Sequence, residues 1–367
     1  MTLRVGIVSA GWGAFAHLPA WRAVPGVEVT AICTSRQETA EAAAARLGLP
    51  RAFWDAGDMC ADPDIDIVDL GTPPATRLPM VLAALAAGKH VYNASPHAPD
   101  WAGAKAIDAG WRAGGGVGVV DAFSEYIPAL RQMQALLGQG HVGNPLGGTC
   151  HFNLSLFNQP SRQFPYNWFG RAGLGVSAVR NNGSHALYLL RRLFGPIEEL
   201  VADDSRILKR WVFPDGGEIV PETNDLANVT LRFRRGLVMQ MQISWSMPLH
   251  DGFLLDVFGE DGRLVARSPT FPTARDCGLE GGRTGGALEP IAAPDAYLSP
   301  EGIALDWQAP VQPSFPMALS MRAMVEAIDS GGPCAPDFAE ALEVERVQEA
   351  IRLSSLERRW VRVADVA

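Results

Sequence analysis

Three groups of residues have the types and spacing to do chemistry. Ser9, Gly11, Trp12, Gly13 and Ala14 form a tight turn between an apolar run, Val5 to Ser9, and a helical stretch. Glycines in such a turn let the backbone approach a pyrophosphate, and the helix N-terminus offers it unpaired N–H groups and a partial positive charge. About 20 residues further on, where an NAD site places an Asp or Glu for the ribose hydroxyls, stand Thr34, Ser35 and Arg36. Two hydroxyls and a planar guanidinium fork suit a 2′-phosphate, so NADP(H) is expected ahead of NAD(H), which the turn also admits. Charge-assisted bonds contribute about 1.5 to 3 kcal/mol each, enough for a preference on the order of 10- to 1000-fold. The third group is Asn181 and His185, four residues apart. On a helix that spacing puts an amide and an imidazole on adjacent turns of one face, where both can address one substrate. A structural histidine with its hydrogen bonds satisfied is the competing use.

The turn departs from the dinucleotide pattern G-x-G-x-x-G. Ser9, Gly11 and Ala14 fill the three slots, with an additional Gly13. Alanine is accepted in the third slot. Ser9 must make the turn without a positive φ, so either the turn differs or Gly13 takes over part of the work.

The elements that position these groups alternate strand with helix. The stretch Arg4 to Arg36 reads strand, turn, helix, strand, and Glu38 to Leu47 is an Ala-rich helix that stops at Gly48. Asp64 to Leu70 is a strand leading into Gly71, Thr72, Pro73 and Pro74; Arg77 to Ala87 is a helix; His90 to Asn93 and Val117 to Asp121 are further strands. Alternation of this kind predicts a parallel sheet with ligands outside the C-terminal ends of its strands, so Thr72, Pro73 and Pro74 should border the cofactor. A second domain begins near Phe123, with a helix to Leu137 and a strand from Leu146 to Leu156. The polar and aromatic loop Phe157 to Val176 carries Trp168 and Arg171, which can stack on and hydrogen-bond a ring-shaped substrate; a Trp that simply pins the loop is the alternative. From Ile197 to Val265 strand follows strand, and the alternation in Val238 to Trp245 leaves Met239 and Met241 for a sheet-to-sheet contact or for burial under a helix. Ser268 to Pro316 is Gly- and Pro-rich and reads as a loop excursion, followed by helices Met317 to Asp329 and Phe338 to Leu356 and a short strand from Trp360. The prediction is an α/β chain: a Rossmann domain over 1–122, and an α+β domain over 123–367 whose last helices pack back on the first.

Composition excludes several partners. A formal net charge of -9 without a run of Lys and Arg argues against nucleic acid or an anionic membrane. A strand begins almost at once, leaving no room for a signal peptide, and no stretch is apolar for ~18 residues. A cytoplasmic location is therefore expected. The five cysteines, Cys33, Cys60, Cys150, Cys277 and Cys334, are widely spaced with no C-x-x-C pair, so neither a metal site nor a disulfide framework is expected.

The segment VDLGTPPATRLPMVLAALAAGKHVYNASP, with the glycine turn upstream and GSHALYLLRRLFG downstream, resembles the Gfo/Idh/MocA family of NAD(P)-dependent sugar and polyol oxidoreductases. The resemblance covers nearly the whole chain. It implies an N-terminal Rossmann domain and a C-terminal domain whose open, mainly antiparallel sheet forms the contact of a homodimer or homotetramer. After the Gly-Lys-His-Val step, Gly88 to Val91, the family usually carries Glu-Lys-Pro, its lysine touching the nicotinamide region and the reacting hydroxyl. Here those slots hold Ala94, Ser95 and Pro96. A serine hydroxyl cannot replace an ammonium and is a poor base without a neighbour to activate it. His97 is the nearest titratable side chain, either catalytic or a surface histidine; where relatives often place an arginine before a proline, this chain has Glu125, Tyr126, Ile127 and Pro128, with Tyr126 either a proton donor at the cofactor mouth or a packed aromatic. In the family's Asp-x-Gly-x-His-x-x-Asp region this chain keeps only His185, with Asn181 and Tyr188 in the acid slots.

The resemblance implies an NADP(H)-dependent oxidoreductase that moves hydride to or from a hydroxyl or carbonyl carbon of a cyclic, sugar-like or aromatic-derived small molecule. His185 is the first candidate acid or base, with Tyr188, Tyr126 and His97 as helpers; Ser95, Asn181, Trp168 and Arg171 hold substrate; Ala94 joins the cofactor-binding set. The alternatives are a non-catalytic NAD(P)-binding regulator or partner subunit, and a redox-neutral enzyme that uses a bound cofactor transiently.

Overall fold

Short β-branched runs become strands buried on both faces, as a parallel sheet requires. A computed structural model describes residues 2–158, 160, 166–309 and 313–367. Strands β1 (Leu3–Val8), β2 (Val27–Cys33), β3 (Arg51–Phe53), β4 (Ile67–Leu70), β5 (His90–Ala94) and β6 (Gly118–Asp121) form a sheet of order β3-β2-β1-β4-β5-β6. Every pair in it is parallel. The order reverses between β1 and β4, which makes the crevice at their C-terminal ends the ligand position of an open α/β sheet. Helices α1 (Leu18–Arg22), α2 (Gln37–Leu47), α3 (Ala56–Ala61), α4 (Pro74–Ala86) and α5 (Trp101–Gly114) connect these strands. Gly48 closes α2 at φ +65°, a left-handed conformation that glycine reaches without Cβ strain.

The chain divides into two compact units, Met1–Phe123 with Ser299–Glu343, and Ser124–Leu298 with Val344–Ala367. In the first, the late helix α10 (Ser314–Ser330) packs against α1, and the Ser314 hydroxyl donates to the Ala16 carbonyl at 2.9 Å. The edge of β6 is also covered: Val120 donates its N–H to Pro336, and Val119 bridges Asp337. An uncovered edge would offer unpaired backbone groups to another chain.

The second unit is built on nine strands: β7 (Pro145–Asn153), β8 (Ile197–Ser205), β11 (Leu226–Phe233), β12 (Val238–Ser244), β13 (Gly252–Gly259), β14 (Gly262–Ser268), β15 (Gly278–Arg283), β16 (Glu289–Pro290) and β17 (Val361–Arg362). Their order is β16-β15-β14-β13-β7-β12-β11-β8-β17, and β9 (Trp211–Val212) pairs β10 (Glu218–Ile219) separately. Only β7 and β12 run parallel within this sheet; its other pairs are antiparallel. Helices α6 (Pro128–Gly138), α7 (Tyr166–Phe169), α8 (Ser184–Phe194), α9 (Asp295–Leu298) and α11 (Phe338–Glu357) complete the chain. The division between the units falls inside α11. An α/β chain with a parallel Rossmann sheet and a mainly antiparallel second sheet is thus what forms.

Two expectations are corrected. Ser268 to Pro316 is not all loop, because β15 and β16 lengthen the sheet; the segment GLEGGR is too rich in glycine to signal a strand, and pairing with β14 decides it. Met239 and Met241, expected at a sheet-to-sheet dimer contact or under the first domain's helix, are buried within the single chain, as are Ile243 and Trp245, so they are not available to a second copy. The outward face of β12 instead carries Gln240 and Gln242, and Gln242 links Asn153 on β7 to Asn228 on β11 through bonds of 3.0 and 2.8 Å. Among the described residues no helix is long and apolar enough to cross a membrane. All five cysteines are unbridged, and only Cys334 is not buried.

Candidate active site

In the turn after β1, Ser9 and Gly13 divide the work left open by the missing first glycine. The Ser9 hydroxyl accepts the Gly11 N–H at 3.2 Å, closing the turn with a side chain, and neither Gly11 nor Gly13 adopts a positive φ. Gly13 is required for closeness: a Cβ there would lie 2.6 Å from Ile7 Cγ2 and 3.2 Å from Ser9 Cβ. Gly71, following β4, backs onto the same point, since its Cβ would lie 3.4 Å from Gly13 N. The helix opens as a π-helical turn, Gly13–His17, before α1. A turn without side-chain bulk at Gly11 and Gly13, running into a helix N-terminus, fits a pyrophosphate. Trp12 and Phe15 stand half-exposed beside it, their ring centroids 6.1 Å apart, and Ala14 lies between them, half-buried.

At the end of β2, Thr34 and Thr39 bond each other at 2.6 Å and both hydroxyls reach the Arg36 carbonyl. That fixes Arg36 in extended conformation at the N-cap of α2. Its side chain and Ser35 are exposed, and among the described residues the Arg36 guanidinium makes no hydrogen bond or ion pair.

The two loops at the C-terminal ends of β4 and β5 are joined by a residue that the sequence reading passed over. Arg77, on α4 and only 2 % exposed, donates Nε to Asn93 Oδ1 at 2.7 Å, Nη1 to the Thr72 carbonyl, and Nη2 to the carbonyls of Ala94, at 2.5 Å, and Pro96. Asn93 in turn donates Nδ2 to the His97 carbonyl at 2.8 Å and faces His97 Nδ1 at 3.1 Å. An amide N–H can only donate, so Nδ1 accepts and a neutral His97 carries its proton on Nε2. His97 is therefore not the surface histidine that its loop position suggested; it is buried, edge-on to Phe338 with centroids 4.7 Å apart. Pro73 and Pro74 begin α4, and Thr72, Pro73 and Ser95 are half-buried while Ala94 is buried.

Beneath the glycine turn lies a second missed cluster. His17 Nδ1 meets Asp69 Oδ1 at 2.7 Å and its Nε2 meets Asp121 Oδ2 at 3.0 Å, with all three side chains buried. Trp21 donates to Asp69 at 2.7 Å, Tyr92 to Asp121 at 3.1 Å, and Trp12 to Asp121 at 3.4 Å. Burial pulls the imidazole down, but the charges of Asp69 and then Asp121 outweigh it and push His17 up to about 10. Burial, followed by the charge of Asp121, holds the Tyr92 phenol well above its ordinary value. The available signal was an acid at the buried end of an apolar run, in DIDIVDL and GVVD.

The remaining candidates belong to the second unit. A π-helical turn, Val179–Gly183, precedes α8, so Asn181 and His185 do not share one continuous α-helical face as the spacing of four predicted. Asn181 is half-buried, and its carbonyl accepts the Ser184 hydroxyl at 2.7 Å. His185 is buried, edge-on to Phe271 with centroids 5.3 Å apart, and Tyr188 is buried further along α8. Arg180 holds this turn from behind: its Nη2 donates to the buried Glu345 at 2.7 Å and its Nε to the Gly175 carbonyl at 3.1 Å. Tyr126 is half-buried at the end of a 3-10 turn, next to Glu125, which pairs with Arg192 at 3.1 Å. In the aromatic loop, residues 159 and 161–165 lie outside the described residues. Its anchors are Phe157, stacked on Trp211 at 3.8 Å, and Phe169, 5.5 Å from Trp245. Trp168 stays half-buried and Arg171 exposed.

Residues 3–120 match an oxidoreductase family described by its NAD-binding Rossmann fold, and residues 130–265 match the GFO/IDH/MocA C-terminal domain. D-apiose dehydrogenase of Paraburkholderia graminis is 27% identical over 361 residues, covering 97% of this chain and 88% of that protein. An NAD binding oxidoreductase from Klebsiella pneumoniae is similar in structure with a TM-score of 0.87 and 26% identity, over 99% of both chains. A levoglucosan dehydrogenase solved with NADH and L-sorbose shares the fold with a TM-score of 0.89 at 21% identity, again over 99% of both.

Proposed function

The chain belongs to the Gfo/Idh/MocA family of oxidoreductases, and on that premise we propose that it is an NADP(H)-dependent enzyme acting on a hydroxyl or carbonyl carbon of a cyclic, sugar-like small molecule. The observation that carries the reading is the turn at Ser9–Ala14, where Gly13 has no room for a Cβ and the chain runs directly into a helical turn. The cofactor preference rests on Arg36, held extended at a helix N-cap beside Ser35 with its guanidinium uncommitted among the described residues. The sugar-like substrate class is supported by the names of relatives, a D-apiose dehydrogenase and a levoglucosan dehydrogenase.

Bound nicotinamide supplies the hydride acceptor or donor. The chain's own residues do the rest. In the second unit His185 takes or returns the hydroxyl proton, Asn181 orients the reacting group, and Trp168 with Arg171 provides a ring face and a donor; in the first unit Ser95 is a further hydroxyl for substrate. Tyr126 and Tyr188 are further proton donors. His97, buried with Nδ1 engaged, serves the loop that carries Ser95. Assembly into a homodimer or homotetramer is assigned to the outward face of the large sheet, where Phe258 stands exposed beside the half-exposed Asp256 of its own strand.

The test is an equilibrium titration of the wild type and Arg36→Ala with NADPH and NADH, followed by nicotinamide fluorescence and then by addition of a pool of sugars and cyclic polyols. Tight NADPH binding, a fall of the NADPH preference by 10-fold or more in the variant, and loss of the reduced signal on adding substrate are expected. An unchanged affinity ratio refutes the phosphate assignment. Binding without turnover of any pool returns the regulator reading.

A further inference from the structure

Every residue in the run 91–98 is buried except Ser95, which is half-buried at the C-terminal end of β5, beside the strand-order reversal where ligands bind. One side chain grips the backbone on both sides of it. Arg77 Nη2 donates to the carbonyls on either side of Ser95, those of Ala94 and Pro96; Nη1 donates to Thr72 in the neighbouring loop, and Nε to Asn93. At least four of the five guanidinium N–H groups thus have acceptors, in a planar arrangement that a lysine ammonium cannot reproduce. Asn93 uses both amide hydrogens on His97, one on its carbonyl and one on Nδ1. The stretch from Asn93 to His97 is consequently fixed at both ends and in the middle, and Ser95 is its one residue that is not fully buried.

We propose that Arg77 is a positioning residue: by gripping the carbonyls that flank Ser95 and the Thr72 carbonyl of the adjoining loop, it presents the Ser95 hydroxyl and backbone to the nicotinamide end of the bound cofactor. This rests on the cofactor reading above and on the nicotinamide contact that the family resemblance implies for this slot, and adds the residue that holds the loop. The adenine half is served by other residues, the turn at Ser9–Ala14 and Arg36. Loss of the grip must therefore separate the two halves in binding.

The experiment compares NADPH with 2′-phospho-ADP-ribose, the same nucleotide without nicotinamide, on the full chain. Arg77→Lys and Arg77→Gln are expected to weaken NADPH roughly 5- to 10-fold, the loss of one to two neutral hydrogen bonds, while 2′-phospho-ADP-ribose stays within twofold. Ser95→Ala is expected to weaken NADPH similarly, and the Ser95→Ala/Arg77→Lys double variant to be little worse than either alone. Equal weakening of both nucleotides, unchanged NADPH binding by folded variants, or full additivity overturns the proposal. Should the Arg77 variants fail to fold, hydrogen exchange on the wild type decides. A peptide spanning 93–98 must be slowed by NADPH and not by 2′-phospho-ADP-ribose; equal protection by both overturns the positioning role. If the wild type binds neither nucleotide, the cofactor reading falls and the proposal with it, whereas binding with unaltered variants sinks the proposal alone.

Discussion

Replacing His17 by Leu should remove the charge balance of the first unit's core. Both ring nitrogens face a carboxylate, at 2.7 Å from Asp69 and 3.0 Å from Asp121, so both must donate and the ring is an imidazolium. Its proton affinity rises from the ordinary 6.5 to about 10 despite complete burial. At about 1.4 kcal/mol for each tenfold change, the folded state gains on the order of 5 kcal/mol from holding that proton. The same size follows from the other direction: taking away one partner of a buried ion pair costs about 3 to 5 kcal/mol. The folded value lies above the unfolded one. The contribution is therefore complete below about pH 6.5, falls by about 1.4 kcal/mol per pH unit above it, and is gone near pH 10. Urea denaturation at pH 6.5, 8 and 9.5 reads this out. The wild type should lose stability steadily across the window, and His17→Leu should start about 3 to 5 kcal/mol lower at pH 6.5 without that decline. Parallel curves for the two proteins would show that His17 is neutral in the fold and that the argument is wrong.

Other substitutions test separate parts. Gly13→Ala places a Cβ 2.6 Å from Ile7 Cγ2, so it should cost about 1 to 3 kcal/mol and weaken NADPH binding; an unchanged affinity by fluorescence titration would mean that the turn does not hold the pyrophosphate. His185→Ala should lower kcat by about 10²- to 10⁴-fold with NADPH affinity kept, and a turnover rate equal to wild type would remove His185 from the chemistry. Arg180→Met strips the buried Glu345 of its 2.7 Å partner and should destabilise by about 3 to 5 kcal/mol, most of it recovered in Arg180→Met/Glu345→Leu; no recovery in thermal unfolding would mean that Arg180 stabilises through Gly175 instead.

How much of the site could be read from the sequence differs with the distance over which it is built. The turn at Ser9, Gly11 and Gly13 was legible because its chemistry is local: three neighbouring residues and the helix that follows them make the anion site. Even there, the structure supplied the reason for each residue, since Gly13 is small to clear Ile7, and Ser9 closes the turn through its hydroxyl rather than through a backbone φ. Asn181 and His185 were found as neighbours but with the wrong phase, because an added π-helical residue leaves no trace in the spacing of side chains.

Strand and helix periods, the glycine stops and the alternation of the two are short-range properties, and the sequence alone determined from them an α/β chain with a parallel first sheet and a second, strand-rich domain; that the second sheet is mainly antiparallel was implied by the family resemblance. What only the tertiary structure decided is the pairing of charge and donor across elements. Asp69 and Asp121 lie on strands that are not neighbours, and the cation they share in the core is His17, from a helix more than fifty residues earlier in the chain than Asp69, with Trp21 and Tyr92 donating further bonds. Arg77 is likewise an ordinary helix residue until β4 and β5 lie side by side and bring three carbonyls to it. A buried charge is stabilised by groups a few ångströms away in space, and their separation along the chain carries no signal of that proximity.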